Sequence, residues 1–254
     1  VIQGLTVGLG ANAVGGNTAV GVGALSSGSL SGGYNVAIGP YALYVNTTGV
    51  NNTAIGGAGS LQANIAGNNN VGIGLNSLYS NTGSNNIAIG TYAGPNLTTG
   101  SNNTIIGSVN GTAGLSDTVI IAAGSAERMR IDSSGVISYT GSLTVSAYTE
   151  TIVASGTVGA SATLAITAGT VLTATLTSAT ACTFTMPTAT AGKSFILLLK
   201  QPASGTATTA TFTSVKWNSS GAPTITATVG KMDILTFVAD GTNWYGSYSQ
   251  GYTP

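Results

Sequence analysis

The sequence predicts an all-β protein. Residues 1–126 read as a β-solenoid shaft of about seven coils, 127–148 as a charged connector, and 149–254 as a β-sandwich or jelly-roll-like domain. Three observations lead there. The phrase Asn-x-Ala-Ile-Gly recurs through the first half. Branched and small residues alternate within each copy with the period of a strand. Beyond the connector the repeat gives way to longer alternating segments separated by Gly, Pro and Asp turns.

The copies are Asn17-Thr-Ala-Val-Gly21, Asn35-Val-Ala-Ile-Gly39, Asn52-Thr-Ala-Ile-Gly56, Asn70-Val-Gly-Ile-Gly74, Asn86-Ile-Ala-Ile-Gly90 and Asn103-Thr-Ile-Ile-Gly107, after a degenerate Thr6-Val-Gly-Leu-Gly10. The spacings between their closing glycines are 11, 18, 17, 18, 16 and 17 residues. A period of this size is that of a solenoid, whose coils bury their apolar faces only by stacking. At about 4.8 Å per coil such a shaft is roughly 34 Å long.

One alternating set, from Val20 and Ile38 to Ile106, is branched and is expected to fill the coil core. The other is Ala or Gly, and its lack of bulk predicts close approach of another backbone. A second apolar pair, such as Ala42-Leu43 or Ser77-Leu78, reads as a short strand, followed by an Asn/Thr/Gly turn. The recurring asparagines Asn17, Asn35, Asn52, Asn70, Asn86 and Asn103 predict an uncharged amide ladder along one corner. Leu115 to Gly124 reads as a modified last coil that caps the stack.

Composition narrows the function. Six basic and six acidic side chains make up 5% of the chain, and none lies before Asp117. A nucleic-acid partner needs a Lys/Arg stripe to neutralise phosphates, so none is expected. Nor is membrane insertion, because Gly, Asn, Ser and Thr interrupt every apolar run. With no His, triads and His-ligated metals are excluded, and no cofactor motif is present. The carboxylates are Asp117, Glu127, Asp132, Glu150, Asp233 and Asp240. Glycoside hydrolysis needs a facing pair, and this set predicts a protein that is not an enzyme. The single Cys182 reads as a small buried hydrophobe. The chain opens at Val1 inside a repeat and reads as a fragment, a processed product or the ordered part of something longer.

Charge returns in one burst, Glu127-Arg-Met-Arg-Ile-Asp132. In an extended chain Arg128, Arg130 and Asp132 share one face, and Met129 and Ile131 the other. Glu127, Arg128, Arg130 and Asp132 are either interchain salt-bridge partners or an ordinary solvated strand edge.

In the last segment, strands are expected at 149–154, 163–166, 171–177, 182–186, 194–200, 209–217, 224–228, 232–238 and 243–248. Trp217, Trp244, Tyr245, Tyr248 and Tyr252 cluster near its end. They are candidate receptor contacts that stack on sugar faces. The competing reading puts both indoles in the core with their N–H groups bonded.

The repeats resemble the head repeats of trimeric autotransporter adhesins and similar repeats in bacteriophage tail fibres. In those families each chain winds a β-roll and three chains share an axis. The resemblance implies a homotrimer, with Ala19, Ala37, Ala54, Gly72 and Ala88 as its packing face. Ser194-Phe-Ile-Leu-Leu-Leu-Lys-Gln201 and Asp233 to Gly246 resemble tail-fibre C-terminal domains. Together they imply a structural and adhesive tail fibre or virion appendage, extracellular, whose partners are other virion tail proteins and a host surface glycan or outer-membrane receptor. The alternatives are the head of a bacterial surface adhesin, on the cell surface, and an appendage with no receptor site.

Overall fold

The computed structural model describes residues 7–147 and 149–254. Thr6 of the degenerate repeat and Tyr148 of the predicted connector lie outside them. The chain divides into two compact units, Val1–Thr144 and Val145–Pro254.

The first unit contains one ten-stranded sheet in chain order. Its strands are β1 (Val7–Gly8), β2 (Thr18–Val20), β3 (Val36–Ile38), β4 (Thr53–Ile55), β5 (Val71–Ile73), β6 (Ile87–Ile89), β7 (Thr104–Ile106), β8 (Val119–Ala123), β9 (Ala126–Ile131) and β10 (Ile137–Tyr139). From β2 to β8 they run parallel and in register, so that Ala19, Ala37, Ala54, Gly72, Ala88, Ile105 and Ile120 stack in one column. This is a β-solenoid, one strand per coil. The degenerate copy is not a coil of it. β1 pairs antiparallel with β2, because the 11 residues from Gly10 to Gly21 are too few to wind a full turn. The charged segment is likewise no separate connector: β9 adds antiparallel to β8 and β10 antiparallel to β9, which ends the parallel stack.

The two strand faces are the reverse of the sequence expectation. Ala37, Ala54 and Ala88 are 0% exposed and share one buried cluster with Leu25, Leu43, Leu61 and Leu78, also fully buried; at Gly72 the facing leucine is Leu61 of the preceding coil. The branched residues point outward. Volume is the reason, since the coil is too thin for two large side chains face to face. Where the small residue becomes Ile105, the opposing leucine becomes Gly94, and a Cβ there would come within 2.9 Å of Ile105 Cδ1. Where it becomes Gly72, the hydroxyl of Ser60 enters, donating to the Gly72 carbonyl at 2.8 Å.

These leucines are not in short strands either. Leu25, Leu43, Leu61 and Leu78 sit in tight turns with φ between 47 and 50°. A left-handed residue other than Gly costs about 1–2 kcal/mol, and burying the isobutyl group returns about 1.5–3 kcal/mol.

The predicted ladder is present, but it runs through the backbone. Each Oδ1 accepts the backbone N–H of the next asparagine, as in Asn52 to Asn35 (2.9 Å), Asn70 to Asn52 (2.9 Å) and Asn86 to Asn70 (2.9 Å). Each Nδ2 donates to a turn carbonyl of the next coil, as in Asn52 to Gly67 (2.8 Å) and Asn70 to Gly83 (2.8 Å). A second, exposed column runs Asn51, Asn69, Asn85 and Asn102 and ends on Asp117. The close backbone approach expected of small residues occurs at the closing glycines. A Cβ on Gly39, at φ 126°, would lie 1.6 Å from the Gly56 carbonyl oxygen of the same chain.

The second unit has a six-stranded and a three-stranded sheet. The chain alternates between them: β11 (Ile152–Val158), β12 (Ser161–Thr163), β13 (Val171–Leu176), β14 (Cys182–Thr185), β15 (Ser194–Lys200) and β16 (Ala210–Phe212). Within each sheet these strands are parallel, so this part winds like a solenoid of larger bore although no repeat marks it. β17 (Val215–Lys216), β18 (Met232–Ala239) and β19 (Trp244–Tyr252) complete the larger sheet, with β18 and β19 antiparallel. The predicted strand at 209–217 is broken, and that at 224–228 is a loop held by the buried Asp233, whose carboxylate accepts from Thr226 N–H (2.7 Å) and Oγ1–H (2.6 Å). The core includes Leu172, Leu176, Phe184, Leu197, Leu235 and Cys182.

Two substitutions test this packing by denaturant unfolding. Leu61→Ala is expected to destabilise by about 2–5 kcal/mol, as for other buried leucines. Asn52→Ala leaves the Asn70 N–H without a partner and removes one of the two amides that donate to the Gly67 carbonyl, the other being Asn64, and is expected to cost about 1–3 kcal/mol. A change below about 0.5 kcal/mol in either would contradict the packing described.

Candidate functional site

The most prominent surface is the outward face of the ten-stranded sheet. Strand register places one unbroken row along it: Val7, Val20, Ile38, Ile55, Ile73, Ile89, Ile106, Ile121, Met129 and Tyr139. A second, mixed row runs Thr18, Val36, Thr53, Val71, Ile87, Thr104, Val119, Ile131 and Ile137. Ile38, Ile87, Ile89, Ile106 and Ile121 are each 37–41% exposed despite lying in mid-sheet. A contiguous apolar strip of this kind is the candidate interaction surface of the unit.

The residues expected to pack between chains, Ala19, Ala37, Ala54, Gly72 and Ala88, point into the coil of their own chain. With almost no accessible surface, they cannot touch a second chain, and that expectation is corrected.

In the charged hairpin, Glu127 and Arg130 pair within the chain. Arg130 Nε donates to Glu127 Oε1 at 2.7 Å and Nη2 to Oε2 at 2.5 Å. That hydrogen bond, with the neighbouring negative charges, raises the Arg130 pKa. Asp132 is held by the hydroxyl and N–H of Ser134 and by the N–H of Val136, which lower its pKa. Both are therefore occupied without a second chain. Arg128 forms no ion pair among the described residues. Arg130 lies opposite Ile120, on the core side of the sheet, whereas Met129 and Ile131 extend the apolar rows.

Of the aromatic candidates, Trp244 is core, and Trp217 and Tyr248 are half-buried against that core. Trp244 is 2% exposed and its indole N–H donates to the Pro187 carbonyl at 2.7 Å. It meets Phe195 edge-on at 5.1 Å. Trp217 packs edge-on against Phe237 and Tyr248, at 5.9 and 6.1 Å, and lies over Gly246. The Trp244 indole is not free to stack on a sugar. Tyr245 and Tyr252 are exposed. The Tyr245 hydroxyl donates to Asp240 at 2.9 Å, and the Thr242 and Asn243 N–H groups donate to the same carboxylate. The Asn243 and Thr242 backbone bonds, then the tyrosine, pull the Asp240 pKa down to about 2. The carboxylate in turn raises that of Tyr245.

A cleft of about 250 Å³ opens on the six-stranded sheet, lined by Glu150, Thr170, Ser194, Ile196 and Thr236 among others. Its one carboxylate, Glu150, is engaged by the Thr170 hydroxyl.

Sequence reasoning missed the shaft tyrosines. Tyr34, Tyr41, Tyr44, Tyr79 and Tyr92 are all exposed. The available signal was their place in the turns, next to an inward leucine for Tyr44 and Tyr79, two residues past a closing glycine for Tyr41 and Tyr92, and just before a ladder asparagine for Tyr34. No family model, curated protein or solved structure matches this chain.

Asp240 gives a pH test. Its folded pKa lies below the ordinary carboxylate value, so its contribution is present above about pH 4 and is lost as pH falls through about 2. A carboxyl NMR titration should find its midpoint near 2, and Tyr245→Phe, which removes one donor, should move it upward. An unmoved midpoint would show that the phenol contributes nothing.

Proposed function

We propose that this chain is a segment of a homotrimeric, non-enzymatic fibre, a phage tail fibre or related virion appendage that attaches to the host surface. The observation that carries the reading is the continuous apolar face from Val7 to Tyr139. A rod that leaves such a face in water along its whole length is expected to bury it, and packing around a shared axis buries the same face of every copy.

Other features support the reading. Every carboxylate has a structural partner: Asp117 with Asn102, Glu127 with Arg130, Asp132 with Ser134, Glu150 with Thr170, Asp233 with Thr226, and Asp240 with Tyr245. Among the described residues, no helix is long and apolar enough to cross a membrane. The C-terminal phrases resemble tail fibres more than adhesin heads. Three weak contacts on one rod gain avidity without tight binding at any of them.

Light scattering on the eluted protein should give about three times the 24.8 kDa of one chain. Ile89→Asp with Ile106→Asp should release a folded monomer, recognised by an unchanged far-UV spectrum at one third of the mass. Ala54→Leu should act differently, destabilising the coil itself by about 1–3 kcal/mol through overpacking. A wild-type monomer at micromolar concentration would overturn the proposal.

A further inference from the structure

The turn side of the shaft carries a second surface, unlike the sheet face. Coil-to-coil hydrogen bonds align two columns there. Gly59 N–H bonds the Pro40 carbonyl, and Tyr92 N–H the Leu75 carbonyl, which puts Tyr41, Gly59, Asn76 and Tyr92 one above another. Val45 N–H bonds the Gln62 carbonyl, and Ala63 N–H the Tyr79 carbonyl, which aligns Tyr44, Gln62 and Tyr79 beside them.

The four tyrosines are 39–46% exposed. Three of the rings are seated against glycines. Tyr41 and Tyr44 meet edge-on at 5.4 Å and both cover Gly23, while Tyr79 covers Gly59. A Cβ on Gly23 would fall 2.8 Å from the Tyr41 ring, and one on Gly59 2.8 Å from that of Tyr79. The rings of Tyr41, Tyr44 and Tyr79 therefore keep positions set by a side-chain-free site on the coil before them, whereas Tyr92 follows Asn76 in its column. The phenol hydroxyls, and the side-chain amides of Gln62 and Asn76 between them, make no hydrogen bond within the chain among the described residues.

We propose that Tyr41, Tyr44, Gln62, Asn76, Tyr79 and Tyr92 form a binding face for a neutral oligosaccharide lying along the shaft. Ordered aromatic rings offer apolar contact to the C–H faces of pyranose rings, and free amides and phenols offer donors and acceptors to their hydroxyls. The absence of any Lys, Arg, Asp or Glu before Asp117 leaves nothing to pair with an acidic or basic sugar. The coil rise of about 4.8 Å is close to the length of one sugar ring, so successive coils can meet successive residues of an unbranched chain. Seating over glycine lowers the entropy lost when the rings are covered.

The inference rests on the adhesive reading for its biological setting and gives it a ligand class, at a place remote in sequence from Tyr245 and Tyr252. It is tested on the intact chain by affinity electrophoresis through gels containing neutral α-glucan, β-glucan, mannan or galactan, with polygalacturonate as the acidic control. Retardation by at least one neutral polymer is expected, with none by polygalacturonate. Tyr41→Ser with Tyr79→Ser should weaken it at least fivefold, and Gln62→Ala should weaken it too. Tyr245→Ser should leave it unchanged. Oligomer mass and far-UV spectrum are read on every variant, so unfolding is separated from loss of contact. Migration unaffected by all four neutral polymers overturns the inference, as does equal retention of the double variant. Lost binding by a variant that keeps its trimer supports this face. A wild-type monomer that still binds neutral glycan supports the face while overturning the trimer.

Discussion

The first unit depends on its buried asparagine column. A coil corner turns a backbone N–H and a glycine carbonyl into a space without water, where each unpaired group costs about 1–3 kcal/mol. The amide of Asn35, Asn52, Asn70 or Asn86 meets both demands, accepting from the next asparagine and donating to the next turn. Each side chain thereby fixes the height and the rotation of its neighbouring coil. Once that register is set, the closing glycines must follow, because carbonyl oxygens of the adjacent coil occupy their Cβ positions. The strand residues between them then fall into straight columns. The ladder needs no charge, so a shaft can be long, regular and without an ionisable core.

The column was legible in the sequence because asparagine recurs with the repeat and little else explains it there. The inside and outside of the strand were not. Alternation separates two faces but does not say which is inward. Branched residues ordinarily point in, and here they point out because Leu43, Leu61 and Leu78 already occupy the interior. The clue lay in paired exceptions. Ile105 stands where other copies have Ala, and Gly94 stands where they have Leu. Such an exchange of volume occurs only between residues that face one another. The left-handed turn at each leucine was not legible, because Leu has no local preference for it and only burial holds it there.

The second unit shows the reverse difficulty. Alternating strands placed most elements near their true positions, and Ser194–Lys200 was matched at both ends. The connectivity was hidden. Short strands with turn residues suggest antiparallel hairpins, yet β11, β13 and β15 are parallel because the chain crosses to the smaller sheet between them. The indole of Trp244 belongs to the buried core, and that of Trp217 packs half-buried against it. A ring with one polar atom is a good core residue when a carbonyl such as that of Pro187 stands ready to accept.

The inversion of the strand faces also changes what a shaft of this kind can offer a partner. Had the branched residues been buried, the coil exterior would be a neutral wall of glycine and alanine, with little energy of association in any direction. With them outside, the two long sides become chemically distinct. The sheet side is continuous, apolar and the same at every coil, which suits contact with an equally periodic object such as another copy of itself. The turn side varies from coil to coil, with Tyr41, Gly59, Asn76 and Tyr92 in one column. A surface that varies along its length distinguishes one ligand from another, whereas a uniform one only holds. Regularity is enforced where the amides and glycines stack, and the turns, free of that demand, are where recognition has room to differ.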